Sequence, residues 1–184
     1  DFDDGVIGAQ WDTYVNPTSI SMTEPDGTFQ IAMPDDAGTT LYAGIRAINY
    51  FDLTGCAVSI RAVKPPNPNA STAYSHFAVQ ANDTDYAEFF VGSGLLLLQR
   101  WQGGNAQTVQ SKPYDPVAHA WWRIREQAGT LHFETSSDGK LWLTFASTLA
   151  PFDPNGVTVA IGAGAYEVES NPGTAVFDDL NLPP

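Results

Sequence analysis

HAWWRIREQAGTLHFETSSDGKLW, from His119 to Trp142, holds two alternating runs on either side of Ala128-Gly129, a pair suited to the tight positive-φ turn that joins antiparallel strands. Alternation assigns the faces: Trp122, Ile124, Leu131 and Phe133 share one side, and Arg123, Arg125, His132 and Glu134 the other. With Ala128 and Gly129 as the loop, Gln127 lies opposite Thr130, Arg125 opposite His132, Arg123 opposite Glu134 and Trp121 opposite Ser136. A second turn at Ser137-Asp138-Gly139-Lys140 returns the chain through Leu141, Trp142 and Phe145. The stretch predicts a β-meander with one apolar and one charged face.

Working outward, the same grammar recurs. Pro25-Asp26-Gly27 separates the runs Ser19 to Glu24 and Thr28 to Met33 as a hairpin. Leu41 to Ile48 and the alternating Cys56, Val58, Ile60 and Ala62 read as further strands, and Lys64 to Ser71 as a Pro-rich surface loop. Thr72 to Ala81, Tyr86 to Val91 and Leu95 to Trp101 predict three adjacent strands. Ala106 to Ser111, Val157 to Ala165 (an apolar run with three small residues) and Ala175 to Leu182 complete the set. Roughly a dozen strands with turn signals every 8 to 12 residues or so point to an all-β sandwich or barrel, read as one domain over residues 1–184.

Composition narrows the function. The formal charge is −13, with only eight Lys and Arg in 184 residues, so nucleic acid and anionic membrane surfaces are poor partners. No apolar run approaches the roughly 20 residues that span a bilayer. The chain opens on Asp1, which reads as the start of a processed protein or of a module cut from a longer one. Cys56, the sole cysteine, reads as a buried small hydrophobe. His76, His119 and His132 are too scattered for a zinc triad, and no Gly-x-Ser-x-Gly elbow occurs. Arg123 opposite Glu134 reads as a cross-strand ion pair.

Four segments together resemble the concanavalin A-like lectin/glucanase superfamily. They are Phe-Asp-Asp-Gly at 2–5, His-x-Trp-Trp-Arg-Ile-Arg-Glu at 119–126, Glu-Thr-Ser-x-Asp-Gly-x-x-Trp at 134–142, and Ala-Val-Phe-Asp-Asp-Leu-x-Leu at 175–182. The resemblance implies a two-sheet antiparallel jelly-roll sandwich of the laminin-G-like or carbohydrate-binding-module kind, attached to other domains of secreted enzymes, adhesins or phage tail proteins. Its glucanase branch carries a Glu-x-Asp-x-x-Glu strand, which this sequence lacks; Glu88 and Glu134 stand singly. The expected function is therefore non-catalytic binding of a polysaccharide or cell-surface glycan, outside the cell or on a cell or virion surface. The alternative is a structural or receptor-binding domain of a phage tail or adhesin, and a glycoside hydrolase or polysaccharide lyase ranks third.

Two sites follow. Asp3 and Asp4 near one terminus, and Asp178 with Asp179 near the other, lie where similar modules bring first and last strands together. They are expected either to hold a structural calcium through Asp3, Asp4 and Asp178 or to form a solvated acidic end. On the three central strands, Phe77, Val79, Phe89, Val91, Leu95 and Leu97 are expected inside. That leaves Tyr74, His76, Gln80, Tyr86, Glu88, Phe90, Leu98 and Arg100 outside, with Trp101 at the edge. Tyr74, His76, Tyr86, Glu88, Arg100 and Trp101 are the expected glycan-binding residues, because sugar C–H faces pack on rings while hydroxyls need donors and acceptors. The competing reading is an ordinary wet sheet face with stray aromatics.

Overall fold

A computed structural model describes residues 2–16, 19–35, 40–67 and 69–181. Among them are fourteen strands: β1 (Trp11–Asn16), β2 (Ser21–Thr23), β3 (Phe29–Ala32), β4 (Leu41–Ala47), β5 (Ala57–Lys64), β6 (Ala73–Gln80), β7 (Tyr86–Gly92), β8 (Leu95–Gln102), β9 (Asn105–Pro113), β10 (Trp121–Gln127), β11 (Thr130–Ser136), β12 (Leu143–Leu149), β13 (Thr158–Ala165) and β14 (Thr174–Asn181). They form two seven-stranded antiparallel sheets. Sheet A has the order β1-β4-β13-β6-β7-β8-β9, and sheet B the order β12-β11-β10-β5-β14-β3-β2. The two late strands, β13 and β14, are each inserted in the interior of a sheet.

The β10–β11 hairpin has the predicted register, Gln127 opposite Thr130 through Trp121 opposite Ser136. Ala128 and Gly129 take φ values of 52° and 79°, the positive pair a two-residue loop requires. Glu126 sits on the apolar side, yet it is satisfied there. Its carboxylate accepts the backbone N–H groups of Gly55 and Gly129 and so ties the hairpin loop to the entry of β5. In the Asp138 turn, the carboxylate accepts from the backbone N–H of Lys140 and of Leu141.

The sheets meet through interdigitated rings. Phe89 of sheet A lies 5.6 Å from Trp122 and 5.0 Å from Phe133 of sheet B, and Trp122 meets Phe177 edge-on. These side chains are buried together with Ile45, Phe77 and Ile161, so the apolar face of each strand points into one shared core.

The β8 face differs from the expectation. Leu96 and Leu98 are the buried pair, while Leu95 and Leu97 point outward. The connection from β7 is a two-residue turn, Ser93-Gly94, with φ of 51° and 72°, and Gly92 pairs with Leu95. A three-residue loop there would have moved every β8 side chain to the other face, placing the Gln99 amide in the core and Leu96 and Leu98 in water. The preceding loop does carry the expected odd count: Ala81 bonds to Asp85 around Asn82-Asp83-Thr84.

Candidate functional site

The outer face of sheet A carries four rows of side chains, set by strand register. Thr158, Gln80, Tyr86 and Trp101 form the first row, and Asp12, Arg46, Ala160, Ala78, Glu88 and Gln99 the second. Tyr14, Gly44, Gly162, His76, Phe90 and Leu97 form the third, and Tyr42, Gly164, Tyr74 and Gly92 the fourth. The middle of the face is paved with small residues, and the rims carry rings. A cleft of about 500 Å³ results, lined by Tyr14, Tyr42, Arg46, Tyr74, His76, Ala78, Gln80, Asp83, Tyr86 and Ala160.

Glycine makes this paving possible. A Cβ on Gly162 would strike His76 Nε2 and come within 2.5 Å of the Tyr14 hydroxyl, and one on Gly164 would lie 2.6 Å from the Tyr74 hydroxyl. The tips of these rings therefore rest on bare backbone. Three of them share a polar chain: His76 Nδ1 stands 2.9 Å from Glu88 Oε2, and His76 Nε2 stands 3.3 Å from the Tyr14 hydroxyl. Trp101 Nε1 donates to Glu88 Oε1 at 3.1 Å, and the Trp101 ring stacks on Tyr86 at 5.2 Å. Glu88 is 5% exposed, so it lies under the rings and orients His76 and Trp101 from below.

Burial first, and then the Glu88 carboxylate, pushes Tyr74 up to about 12; burial followed by neighbouring charge also raises Tyr14, Tyr86 and Tyr166. All four phenols stay neutral and keep their O–H donors at any ordinary pH. At the cleft's edge Arg46 is held by Asp83 at 2.8 Å and Asp12 at 3.5 Å. The cleft thus offers rings, hydroxyls and amides with no unopposed cation. Hydrolysis of a glycosidic bond needs two working carboxylates, about 5 to 9.5 Å apart. Of the acids here, Glu88 is sealed by two donors and Asp12 and Asp83 face Arg46.

Of the expected binding residues, Tyr74, His76 and Tyr86 line the cleft, Trp101 backs Tyr86, and Glu88 supports from beneath. Arg100 does not belong. It pairs with Ala87 on the opposite face of β8 and reaches out to Gln102, because the Ser93-Gly94 turn reverses that strand. Tyr14, Tyr42, Arg46 and Tyr166 escaped the sequence reading. The alternating small residues of β13 (Ala160, Gly162, Gly164) were the available signal, since an outward face without side chains invites something to lie on it.

At the C-terminal end the acids of β14 face a cation of the protein's own. Asp178 lies 3.6 Å from Arg61 and Asp179 3.9 Å, so a guanidinium already meets their charge. Both reach it because β14 breaks its alternation, with φ of 49° at Asp179 and a register shift against β5. Among the described residues no three His, Cys, Asp or Glu side chains converge to hold a metal. At the N-terminal end Asp4 meets Glu24. Phe2 is buried and stacks on Phe29 at 5.5 Å, Asp4 accepts the Val6 N–H, and Asp3 Oδ1 lies close to Gly27. Glu24 is 5% exposed with Oε2 unpartnered, and burial followed by Asp4 holds its carboxyl above the usual carboxylate range.

No protein-family model matches the sequence, and no curated protein sequence does. Solved structures do match. A β-1,3-glucanase from Mycobacterium marinum superposes with a TM-score of 0.70 at 12% identity, over 98% of this chain and 95% of that one. The calcium-bound exoplasmic/lumenal domain of VIP36 gives 0.60 at 11% identity, over 96% and 88%. The Bacteroides ovatus xyloglucan PUL GH43B gives 0.65 at 14%, over 99% of this chain but 38% of that one. The chain has the concanavalin A-like lectin/glucanase fold, an all-β antiparallel sandwich of two sheets. That fold serves lectins and glucanases alike, and at these identities the likeness extends to architecture alone.

Proposed function

We propose that residues 1–184 form a single non-catalytic carbohydrate-binding module of a larger extracellular or surface protein, taking a neutral glycan in the sheet A cleft. The observation that carries this reading is the cleft itself: stacked rings, neutral phenols and His76 over a glycine floor, with every lining charge countered. Sugars bring apolar C–H faces and many hydroxyls, and this surface matches both. A glycan array tests it, with binding expected to neutral glycans and lost in Tyr86→Ala. A chain that ignores every glycan yet forms a stable oligomer by light scattering would favour a structural or receptor-binding domain. Polysaccharide turnover abolished by Glu88→Gln would establish an enzyme.

Calcium enters this reading as a structural ion at the N-terminal end. Glu24 and Asp4 supply two carboxylates, and backbone carbonyls would complete the six to eight or so oxygens a calcium takes. The support is Glu24 Oε2, buried without a partner beside a second acid. Excess calcium is expected to raise the melting midpoint over excess chelator, and Glu24→Gln to abolish that difference; equal midpoints in the unaltered protein would remove calcium.

A further inference from the structure

The cleft is blind at one end. In the third and fourth rows the glycine floor is covered, by the Tyr14 hydroxyl and His76 over Gly162 and by the Tyr74 hydroxyl over Gly164. Tyr74 is in turn buttressed, with its ring 4.6 Å from Tyr166 and 5.1 Å from Phe90. Beyond that stack lies a separate depression of about 200 Å³, bounded by Phe90, Leu97 and Tyr166. The ring stack separates the two hollows, with Tyr74 lining the cleft and Phe90 and Tyr166 lining the depression. In the other direction the boundary is only the exposed Arg46–Asp83 ion pair, 2.8 Å across. Arg46, Gln80 and Asp83 line both the cleft and a second hollow of about 420 Å³, which runs out to Ile48, Tyr50 and Asn82 at the end of the sheet.

We infer that the cleft receives the terminal unit of a neutral oligosaccharide, not its interior. This rests on the carbohydrate reading above and adds the part of the chain that is recognised. The last sugar lies against Tyr86 and His76 with its outermost edge stopped by Tyr74, and the following units leave across Gln80 towards Tyr50. A polymer bound through its middle would have to pass through the Tyr74–Tyr166–Phe90 stack. Charged sugars fit poorly at this stop, since Arg46 is already shared by Asp12 and Asp83 and the remaining groups are neutral phenols above a carboxylate.

Calorimetric titration of β-1,3-gluco-oligosaccharides and xylo-oligosaccharides from dimer to hexamer, alongside their parent polymers before and after limited depolymerisation, tests this. Affinity is expected to stop rising by the trimer or so, and polymer capacity to rise in proportion to the number of chain ends. Affinity still climbing at the hexamer, with capacity unaffected by cutting, would overturn the inference and leave the carbohydrate reading standing. Binding to neither series, by a protein that also ignores every neutral glycan of the array, would remove both. Tyr166→Ala, at a half-exposed position that tolerates truncation, weakens the stack and is expected to raise capacity on uncut polymer several-fold; Tyr74→Ala removes the stop and is expected to raise it further. Unchanged capacity in a folded Tyr74→Ala or Tyr166→Ala protein would also overturn the inference.

Discussion

Each sheet carries one buried glutamate on its outer face among the described residues, Glu88 on sheet A and Glu134 on sheet B, and each is 5% exposed. Their partners differ. Glu134 lies between Arg123 Nε at 2.7 Å and Arg125 Nη2 at 3.1 Å, and the Arg123 guanidinium covers the Trp142 ring at 4.3 Å. Glu88 receives, among the described residues, only a histidine and an indole N–H. On sheet B permanent cations meet the charge and cover the neighbouring ring, so the face is closed on itself. On sheet A weaker donors orient the rings and leave their faces and hydroxyls available. An aromatic, acidic sheet face becomes a binding surface only where its internal partners leave something over.

The sharpest test of this contrast is truncation on the two faces. Tyr86→Ala is expected to weaken glycan binding by about 1–3 kcal/mol, roughly 5- to 150-fold, as removal of an aromatic anchor does. Trp142→Ala should leave glycan affinity unchanged in the same titration. Equal losses from both would erase the distinction. Next in size is Gly162→Ala, where the new methyl displaces His76 and Tyr14 while the core face of β13 stays intact. Glycan affinity should fall by about an order of magnitude, comparable to losing one good hydrogen-bonded contact, with the melting midpoint shifting far less than for a cavity in the core.

The third test is acid. For Glu134, burial opposes the charge, but hydrogen bonds from Arg125 and then Arg123 outweigh it and hold the carboxyl below its ordinary value. A carboxylate with a depressed folded pKa stabilises the protein above its unfolded pKa, and that contribution is lost as pH falls through the folded value. Denaturation midpoints should therefore drop below about pH 4.5 more steeply in the unaltered protein than in Glu134→Gln. Glu24 has the opposite sign. Its raised folded pKa makes calcium-free stability decline as pH rises from its unfolded value through its folded one, a slope Glu24→Gln should flatten. The smallest effect is expected for Arg125→Lys, about 1 kcal/mol or less, because Arg125 is partly exposed and Arg123 remains on Glu134.

The β10–β11 hairpin was legible to the residue because alternation and the Ala128-Gly129 turn agree, and a one-residue slip would bury Arg123 and Arg125. Leu95 to Leu98 offered no such check. Four successive leucines have no polar member to mark the wet side, so the turn decided the face, and whether Gly92 belongs to turn or strand is invisible until Gly92 is seen paired with Leu95. Arg100 was misplaced for that reason, while Tyr74, His76 and Tyr86, on strands with a clear period, were placed correctly. Tyr14 and Tyr42 reach the cleft from strands distant in sequence, a neighbourhood that only the order β1-β4-β13-β6 creates. At the C-terminal acids alternation is no guide, since β14 shifts register there and both Asp178 and Asp179 reach Arg61.

The position of β13 and β14 also governs how the molecule comes into being. When synthesis has passed Pro151, twelve of the fourteen strands exist, yet β4 has no neighbour to join it to β6, and β3 none to join it to β5. Until β13 and β14 emerge, four unsatisfied edges wait in the nascent chain, exposed to pairing with the wrong partner, and the pairings that close them are all long-range, from Thr158 with Gln80 to Phe177 with Phe29. Assembly is therefore completed from the C-terminal side. A chain cut short at that point keeps Tyr14, Tyr74, His76 and Tyr86 but has no cleft, because nothing holds the strand of Tyr42 beside the strand of His76.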